Sequence, residues 1–437
     1  MPKVNELYHP RSDILSLFSH RLCVDSSQKW RAEAAAFLAR KGFPNKRVEQ
    51  WQYTDLRVLG NVPYQMALQD NNHVCAKKLL HALPEWHDVL AFLPRIVFVN
   101  GYFSPVLSQV PPTLTLTSQH FNGGGENDFF KEDTLHIGQQ PFVALNTALA
   151  DEEILLQVQE GVEAGQILMV SLALGGETPI SFHPRYTLHI GKGACLSLVS
   201  VNTGEGRYCH NPVLNIKVEN NAKLKHLTLF QEGDQGCVLE TVCARIAGHG
   251  VYDSFALTLG GRLTRHEVYV LLAETGGIAN VNGVQCLSSE QIGDITSVMV
   301  YGASECASRQ TVRTVLSEYA RGVFQGKVIV RRGAQKADGY QMSQALLLSD
   351  HAEVNVKPEL EIYADNVRCS HGATVGALDE DQLFYLRSRG IPEDEAQNIL
   401  IEAFLKESLS LLEDERLRRF CHAGLVRSFY SQKGASS

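Results

Sequence analysis

Between residues 140 and 376 the chain is a succession of short runs in which apolar and polar residues alternate, separated by turn residues and free of any helical pattern. Tyr186, Leu188 and Ile190 alternate with Thr187 and His189, and Leu214, Ile216 and Val218 with Asn215 and Lys217. Phe255, Leu257 and Leu259 alternate with Ala256 and Thr258. Further runs occupy 267–272, 295–300, 323–330 and 360–363, with breaks at Gly260-Gly261, Gly276-Gly277 and Asn282-Gly283. Successive side chains on a strand point to opposite faces, so period-two runs at intervals of roughly 10–15 residues predict an all-β body. More than two hundred residues of this texture is long for one sandwich, and a coiled β-solenoid fits the length better. The repeat is too ragged to exclude a barrel or a double sandwich by pattern alone.

The flanks read differently. They divide the chain into an N-terminal helical and mixed region (1–139), the β core (140–376) and a C-terminal helical domain (377–437). Ser26-Ser27 offers a cap for a helix carrying Trp30, Ala34, Phe37 and Leu38, which Gly42 and Pro44 stop. A shorter helical piece runs through Leu79, Leu80 and Leu83 to Pro84, and Gly123-Gly124-Gly125 marks an exposed loop without the order of a dinucleotide fingerprint. Past residue 377, Asp379 with Gln382 resembles a capping box and Gly390 ends that helix. Pro392 in a first turn, followed by Glu393, Asp394 and Glu395, opens the next helix. Its apolar stripe is predicted as Ala396, Leu400, Ala403, Phe404 and Leu411, and a last helix carries Leu417, Phe420, Cys421 and Leu425. Residues 377–415 hold eleven acids and three bases, whereas 416–437 hold five bases and no acid. A charged helical pair outside a β body is expected to meet a partner.

Several function classes fall away. Forty Lys+Arg against 48 Asp+Glu leaves no basic excess, which argues against nucleic-acid binding. The first residues lead into no apolar signal segment, and the longest strongly apolar stretch, 167–174, is far shorter than the roughly 18 residues of a spanning helix. A soluble, cytoplasmic protein that contacts neither membrane nor nucleic acid is the expectation. The ten cysteines contain no C-x-x-C pair, so zinc-finger, thioredoxin and ferredoxin signatures are absent, and most of the thiols are expected to be small buried hydrophobes. Neither a Walker loop, an H-E-x-x-H, a G-x-S-x-G nor a kinase set is present. No conventional enzyme is indicated. An intracellular carbohydrate-active solenoid built on paired carboxylates would escape such a search and stands as one alternative, a stand-alone metal-binding protein as another.

The segment with most chemistry is 361–376, where Cys369 and His371 stand two apart. On an extended strand both project from one face, and a thiolate with an imidazole suits iron or zinc. Arg368 is expected to lower the thiol pKa. One such pair supplies at most two ligands, so a stable site needs others, including from another chain.

Lys357-Pro358-Glu359-Leu360-Glu361-Ile362-Tyr363-Ala364, Cys369-Ser370-His371-Gly372-Ala373-Thr374-Val375-Gly376 and Asp381-Gln382-Leu383-Phe384-Tyr385-Leu386-Arg387-Ser388-Arg389-Gly390-Ile391 together resemble the SufB/SufD family of the SUF iron–sulfur cluster assembly machinery. Gly42-Phe43-Pro44 with Glu49-Gln50-Trp51-Gln52-Tyr53-Thr54 is similar to the family's N-terminal signature. The resemblance covers essentially the whole chain, through texture rather than motif in its centre. It implies a right-handed parallel β-helix between an N-terminal helical region and a C-terminal helical domain. It further implies a non-catalytic scaffold that pairs with a SufB-type paralogue and binds a SufC-type ABC ATPase through its C-terminal helices, with a homodimer when alone. His371, and with it Cys369, would serve a transient iron or nascent cluster at the SufB–SufD interface. No tightly bound cofactor is expected on the chain alone, and flavin binding is left open. The stretch 340–344, where SufB proteins carry a cysteine, has none here, which favours the SufD side of the family.

Overall fold

Each alternating run becomes a strand, and consecutive strands go to two different sheets. The computed structural model describes residues 8–9, 16–18, 29–61, 63–69, 73–83, 89–121 and 140–434. The first sheet contains Thr115–His120 (β2), Glu152–Val158 (β3), Arg185–Ile190 (β5), Val213–Val218 (β7), Gly236–Ile246 (β9), Leu263–Leu272 (β11), Ile292–Tyr301 (β13), Arg321–Val330 (β15) and Glu353–Ile362 (β17), in that order. The second contains Arg95–Val99 (β1), Glu163–Leu174 (β4), Cys195–Glu205 (β6), Lys223–Glu232 (β8), Val251–Thr258 (β10), Ile278–Leu287 (β12), Ala307–Leu316 (β14), Ala337–Leu347 (β16) and Val367–Gly376 (β18). From β3 onward every pairing along these two orders is parallel, and the chain crosses from one sheet to the other twice per turn. The result is a parallel β-solenoid of about eight turns. The sheets take in β1 and β2, so they begin before residue 140.

The ragged repeat has a simple origin. Cys237 lies beside Leu263 and Arg321 beside Glu353, so one turn takes anything from 26 to 32 residues. The extra residues fall in the bends, and the strands stay in register. Inside the coil, Leu188, Ile216, Ala244, Val270, Met299, Val328 and Leu360 form one column, a side chain per turn. This stacking of aliphatic groups across a ladder is what the period-two pattern encodes.

The interior is not uniformly apolar. Glu240 and His266 pair at 2.7 Å in the lumen, with both side chains buried. Buried Tyr208 donates its hydroxyl hydrogen to Glu232, whose carboxyl burial pushes up to about 8. Most thiols are filler, as expected: Cys209, Cys237, Cys243, Cys286, Cys306 and Cys421 are free and buried. Cys23, the Ser26-Ser27 cap, Pro84 and the glycine run at 123–125 lie outside the described residues.

Helical segments cover the outer faces. Lys29–Lys41 (α1) ends at Gly42, whose φ of 71° and bond from its N–H to the Leu38 carbonyl close the helix. His73–His81 (α2) follows, and Pro141–Leu149 (α3) packs beside α1. The segment 49–54 is fastened to the first sheet by Arg265, which is fully buried on β11. Its guanidinium stacks 3.9 Å over the Trp51 ring, donates to Gln50 carbonyl at 3.0 Å, and pairs with Glu267 and Asp294, the latter also accepting from Thr54. Gln325 donates to the same carbonyl, and Lys357 on β17 pairs with Glu49 at 2.6 Å. The tryptophan signature of the N-terminal region is therefore a clamp across four rungs.

At the other end of the chain, Glu380–Ser388 (α4), Glu393–Leu409 (α5) and Glu415–Gly434 (α6) follow the solenoid. Asp379 caps α4 by accepting from the N–H groups of Asp381 and Gln382, as predicted, and Gly390 follows with φ 85°. Pro392 is the cap itself rather than a first-turn residue, one position earlier than expected. The buried face of α5 is Ala396, Ile401, Leu405, Ser408 and Leu409; Ala403 and Leu411 are exposed. The predicted stripe was rotated by about one residue because the i, i+4, i+8 series of large aliphatics, Ile401, Leu405 and Leu409, decides which face turns inward. On α6, Leu417, Phe420, Cys421 and Leu425 are buried as expected. These groups lie on the outer column Leu229, Leu257 and Val284 of the second sheet. None of the described helices is long and apolar enough to cross a membrane.

Replacing Arg265 by Met should lower the stability to urea by about 3–5 kcal/mol, because it strands Glu267 and Asp294 as buried, unpaired acids. A loss under about 1 kcal/mol would show that Trp51 docks without the clamp. Glu232 also carries a pH dependence of definite sign. Its folded pKa lies above the ordinary 4.5, so its contribution is complete below that value and declines up to about pH 8. The decline is about tenfold in the folding equilibrium per pH unit. Glu232→Gln, which keeps the neutral shape, should lose less stability between pH 5 and pH 8 than the unsubstituted chain; parallel urea curves for the two would refute the assignment.

Candidate functional site

Cys369 and His371 both lie on β18, the last strand of the second sheet. Their positions follow from two inner columns. One runs Leu196, Leu224, Tyr252, Ala279, Ser308, Gly339 and ends at Cys369; the next runs Leu198, His226, Ser254, Val281, Gln310, Gln341 and ends at His371. The pair thus closes the mouth of the lumen, where the turn above is missing. Cys369 is half-buried against the core, and His371 is exposed.

Gly339 makes room for the thiol. A Cβ there would come within 3.0 Å of the Tyr301 hydroxyl and 3.3 Å of Cys369 Sγ. Tyr301 shares a 2.6 Å hydrogen bond with Ser308 and donates to the Asp338 carbonyl, which fixes the floor beneath the cysteine. Burial raises the Cys369 thiol pKa above its usual value, only partly opposed by the Gly339 N–H. The expectation that Arg368 lowers it is not met, because Arg368, one residue away, projects from the opposite face of the strand. Among the described residues no group of three or more His, Cys, Asp or Glu side chains is arranged to hold a metal ion. Cys369 and His371 are brought onto one face, but this chain supplies no third ligand from those residue types within the described set.

The surroundings of the pair are open. No strand follows β17 or β18 in its sheet among the described residues, and both are ten residues long. Inner and outer positions of these two strands are alike half-buried or exposed, and Ile362, Val375 and the adjoining Tyr363 are exposed apolar side chains. Pro358, which has no N–H to give, sits within β17, as prolines in sheets do only at edges and bulges. A row of unpaired backbone groups of this length is a template for another chain.

A second open surface is α4, which buries none of its side chains; Phe384 is 73% and Tyr385 56% exposed. The helical unit to which it belongs is joined to the solenoid near the pair. Arg313 on β14 stacks 4.8 Å from the Phe404 ring, bonds the Phe404 carbonyl and Glu407, and donates to Gln344 on β16 at 3.0 Å. Lys225 pairs with Glu413, and Gln166 donates to Asp414 at 2.7 Å. Sequence reading passed over Arg265 and Arg313. For Arg313, set among Val312, Val315 and Leu316, the signal was there, since a charge inside an apolar strand has to be paired; Arg265, between Thr264 and His266-Glu267, gave no such local sign.

The chain matches the family described as SUF system FeS cluster assembly, SufBD core domain, over residues 173–404, and the SufBD protein N-terminal region over residues 3–85. It is similar to the iron–sulfur cluster assembly protein SufD of Escherichia coli, 30% identical over 394 residues covering 87% of this chain and 88% of that one. An iron–sulfur cluster assembly SufBD family protein of Synechocystis is 30% identical over 397 residues, covering 87% of this chain and 86% of its own. The chloroplastic protein ABCI7 of Arabidopsis thaliana is 32% identical over 410 residues, 90% of this chain and 84% of its own.

The protonated, half-buried thiol sets a measurable reactivity. Iodoacetamide at pH 7 should label Cys369 more slowly than the exposed Cys75, with the rate climbing about tenfold per pH unit as thiolate forms. Arg368→Gln should leave that rate unchanged. A clear slowing on that substitution would return control of the thiol to the guanidinium.

Proposed function

Because the chain belongs to the SufBD family of the SUF iron–sulfur cluster assembly system, we propose that it is a non-catalytic scaffold subunit, of the SufD kind, within a heterocomplex. The observation that carries this reading is the uncapped end of the solenoid, with Cys369 and His371 on the edge strand. A SufB-type paralogue pairs with β17 and β18, which satisfies their free backbone groups and brings a second chain's ligands to the pair. His371 donates a neutral imidazole to the iron that is cargo here, and Cys369 lies beside it. Iron held this way is shared between chains and transient, in keeping with a single chain that contributes two ligands.

A SufC-type ABC ATPase docks on the C-terminal helices. Support comes from α4, none of whose side chains is fully buried and which exposes Phe384 and Tyr385, and from the absence of a Walker loop in this chain. Closure of the ATPase would pull on a helical unit tied to β14 through Arg313, two rungs from β18.

The test is a His371→Ala chain purified with both partners through one tag. The complex should stay intact, since His371 is exposed and supports no core, while iron and cluster content fall several-fold. Normal cluster formation in an intact complex would exclude the ligand role.

A further inference from the structure

The two rungs beneath His371 carry carboxamides. Gln310, Gln341 and His371 are successive register partners on β14, β16 and β18. Both glutamines are fully buried. Burying an amide without hydrogen bonds is costly, and buried polar groups ordinarily find partners. Yet Gln341 Nε2 and Oε1, Gln310 Nε2 and the neighbouring Ser343 Oγ have no hydrogen-bond partner among the described residues. Gln310 Oε1 alone is engaged, accepting from Ser297.

Side chains in register on a parallel ladder stand about 4.8 Å apart, close enough for one amide to bond the next, as glutamine ladders do. The donor–acceptor inventory then fixes a direction. Gln310 Oε1, which accepts from Ser297, keeps a second lone pair that could take a bond from Gln341 Nε2. With that bond made, Gln341 Oε1, an acceptor only, is left for the next rung, where His371 stands in register. A ring N–H of His371 turned inward would satisfy it. A neutral imidazole whose one N–H points to Gln341 holds its lone pair on the other nitrogen, away from the lumen and toward the open end.

We propose that Gln341 is a positioning residue for His371, which selects the imidazole tautomer and orientation able to donate to iron. This rests on the reading of His371 as an iron ligand. Groups that bond the far nitrogen of a metal-binding histidine generally set its tautomer in this way. The buried, partnerless amide is the mark of a contact made when the ring turns inward.

The full chain labelled with 15N-histidine gives the test, with the His371 resonances identified by their loss in His371→Ala. Gln341→Leu keeps the volume and removes both amide atoms; Gln341→Met is a second variant of similar length. At pH 8 the unsubstituted chain should show one dominant His371 tautomer, and both variants a mixture. Their thermal midpoints should not fall, because the substitution removes orphaned polar atoms, whereas a packing role for Gln341 would lower them. In the complex with both partners, iron affinity should drop about ten- to hundredfold in the Gln341 variants. A His371 tautomer population that is the same with and without the amide overturns the proposal. Full iron retention in His371→Ala, with the tautomer shift still present in the Gln341 variants, would instead remove the ligand reading and leave the amide–imidazole contact standing.

Discussion

A parallel ladder satisfies the backbone of each turn with the turn before it, and it has no internal means of stopping. Everything distinctive in this molecule concerns how the two ladders end. At the first end the chain reverses: β2 runs antiparallel along β3, and Tyr102–Phe103 folds back on β1. The closing strands there are six and two residues long. At the far end two ten-residue strands are left without cover, one in each sheet. Natural sheets blunt or hide long edges because they recruit other chains. Here the edge is broad, carries exposed apolar groups, and surrounds the two residues with metal-binding chemistry. Pairing with a related subunit and ligation of iron would then be the same event.

The columns explain why chemistry collects at this place. In the middle of the coil each inner side chain is sandwiched between the turns above and below, so most are apolar or internally paired, as Glu240 and His266 are. The last member of a column has one neighbour instead of two. Cys369 and His371 occupy such positions, half-sheltered by Gly339 and Gln341 and otherwise free. The opposite face of the same sheet carries the C-terminal helices, and Arg313 joins them to the rung next to Gln344. Site and appendage share one sheet.

The all-β core could be read from period-two runs such as Tyr186, Leu188 and Ile190, since stacking in register demands that alternation; the solenoid form needed the length of the region and the family resemblance as well. The exact repeat could not, because the bends absorb between 26 and 32 residues per turn and blur any fixed period. Cys369 and His371 were visible as a same-face pair through spacing alone. Their position at the mouth of the lumen was not, because it depends on how many turns precede them rather than on any local residue. The Arg368 expectation failed for a related reason: adjacency in sequence places a strand neighbour on the other face. On α5, Ala396 and Phe404 pack inward as the stripe predicts, but the sheet beneath selects Ile401, Leu405 and Leu409 in place of Ala403, which is apolar locally and yet exposed.

The Trp51 clamp has a consequence for the order in which the protein is made. Gln50 and Trp51 are held by Arg265 and Gln325, and Glu49 by Lys357, which follows it by 308 residues. At ordinary rates of translation that interval lasts roughly 15–60 s. The segment synthesised early is therefore seated late, once the rungs that receive it have been laid down. Until Arg265 has been made, Trp51 lacks the guanidinium that stacks on it, and the face of the first sheet that receives it is incomplete. The nascent chain has a window in which this segment is a sticky ligand without its receptor, the stage at which a chaperone would matter most.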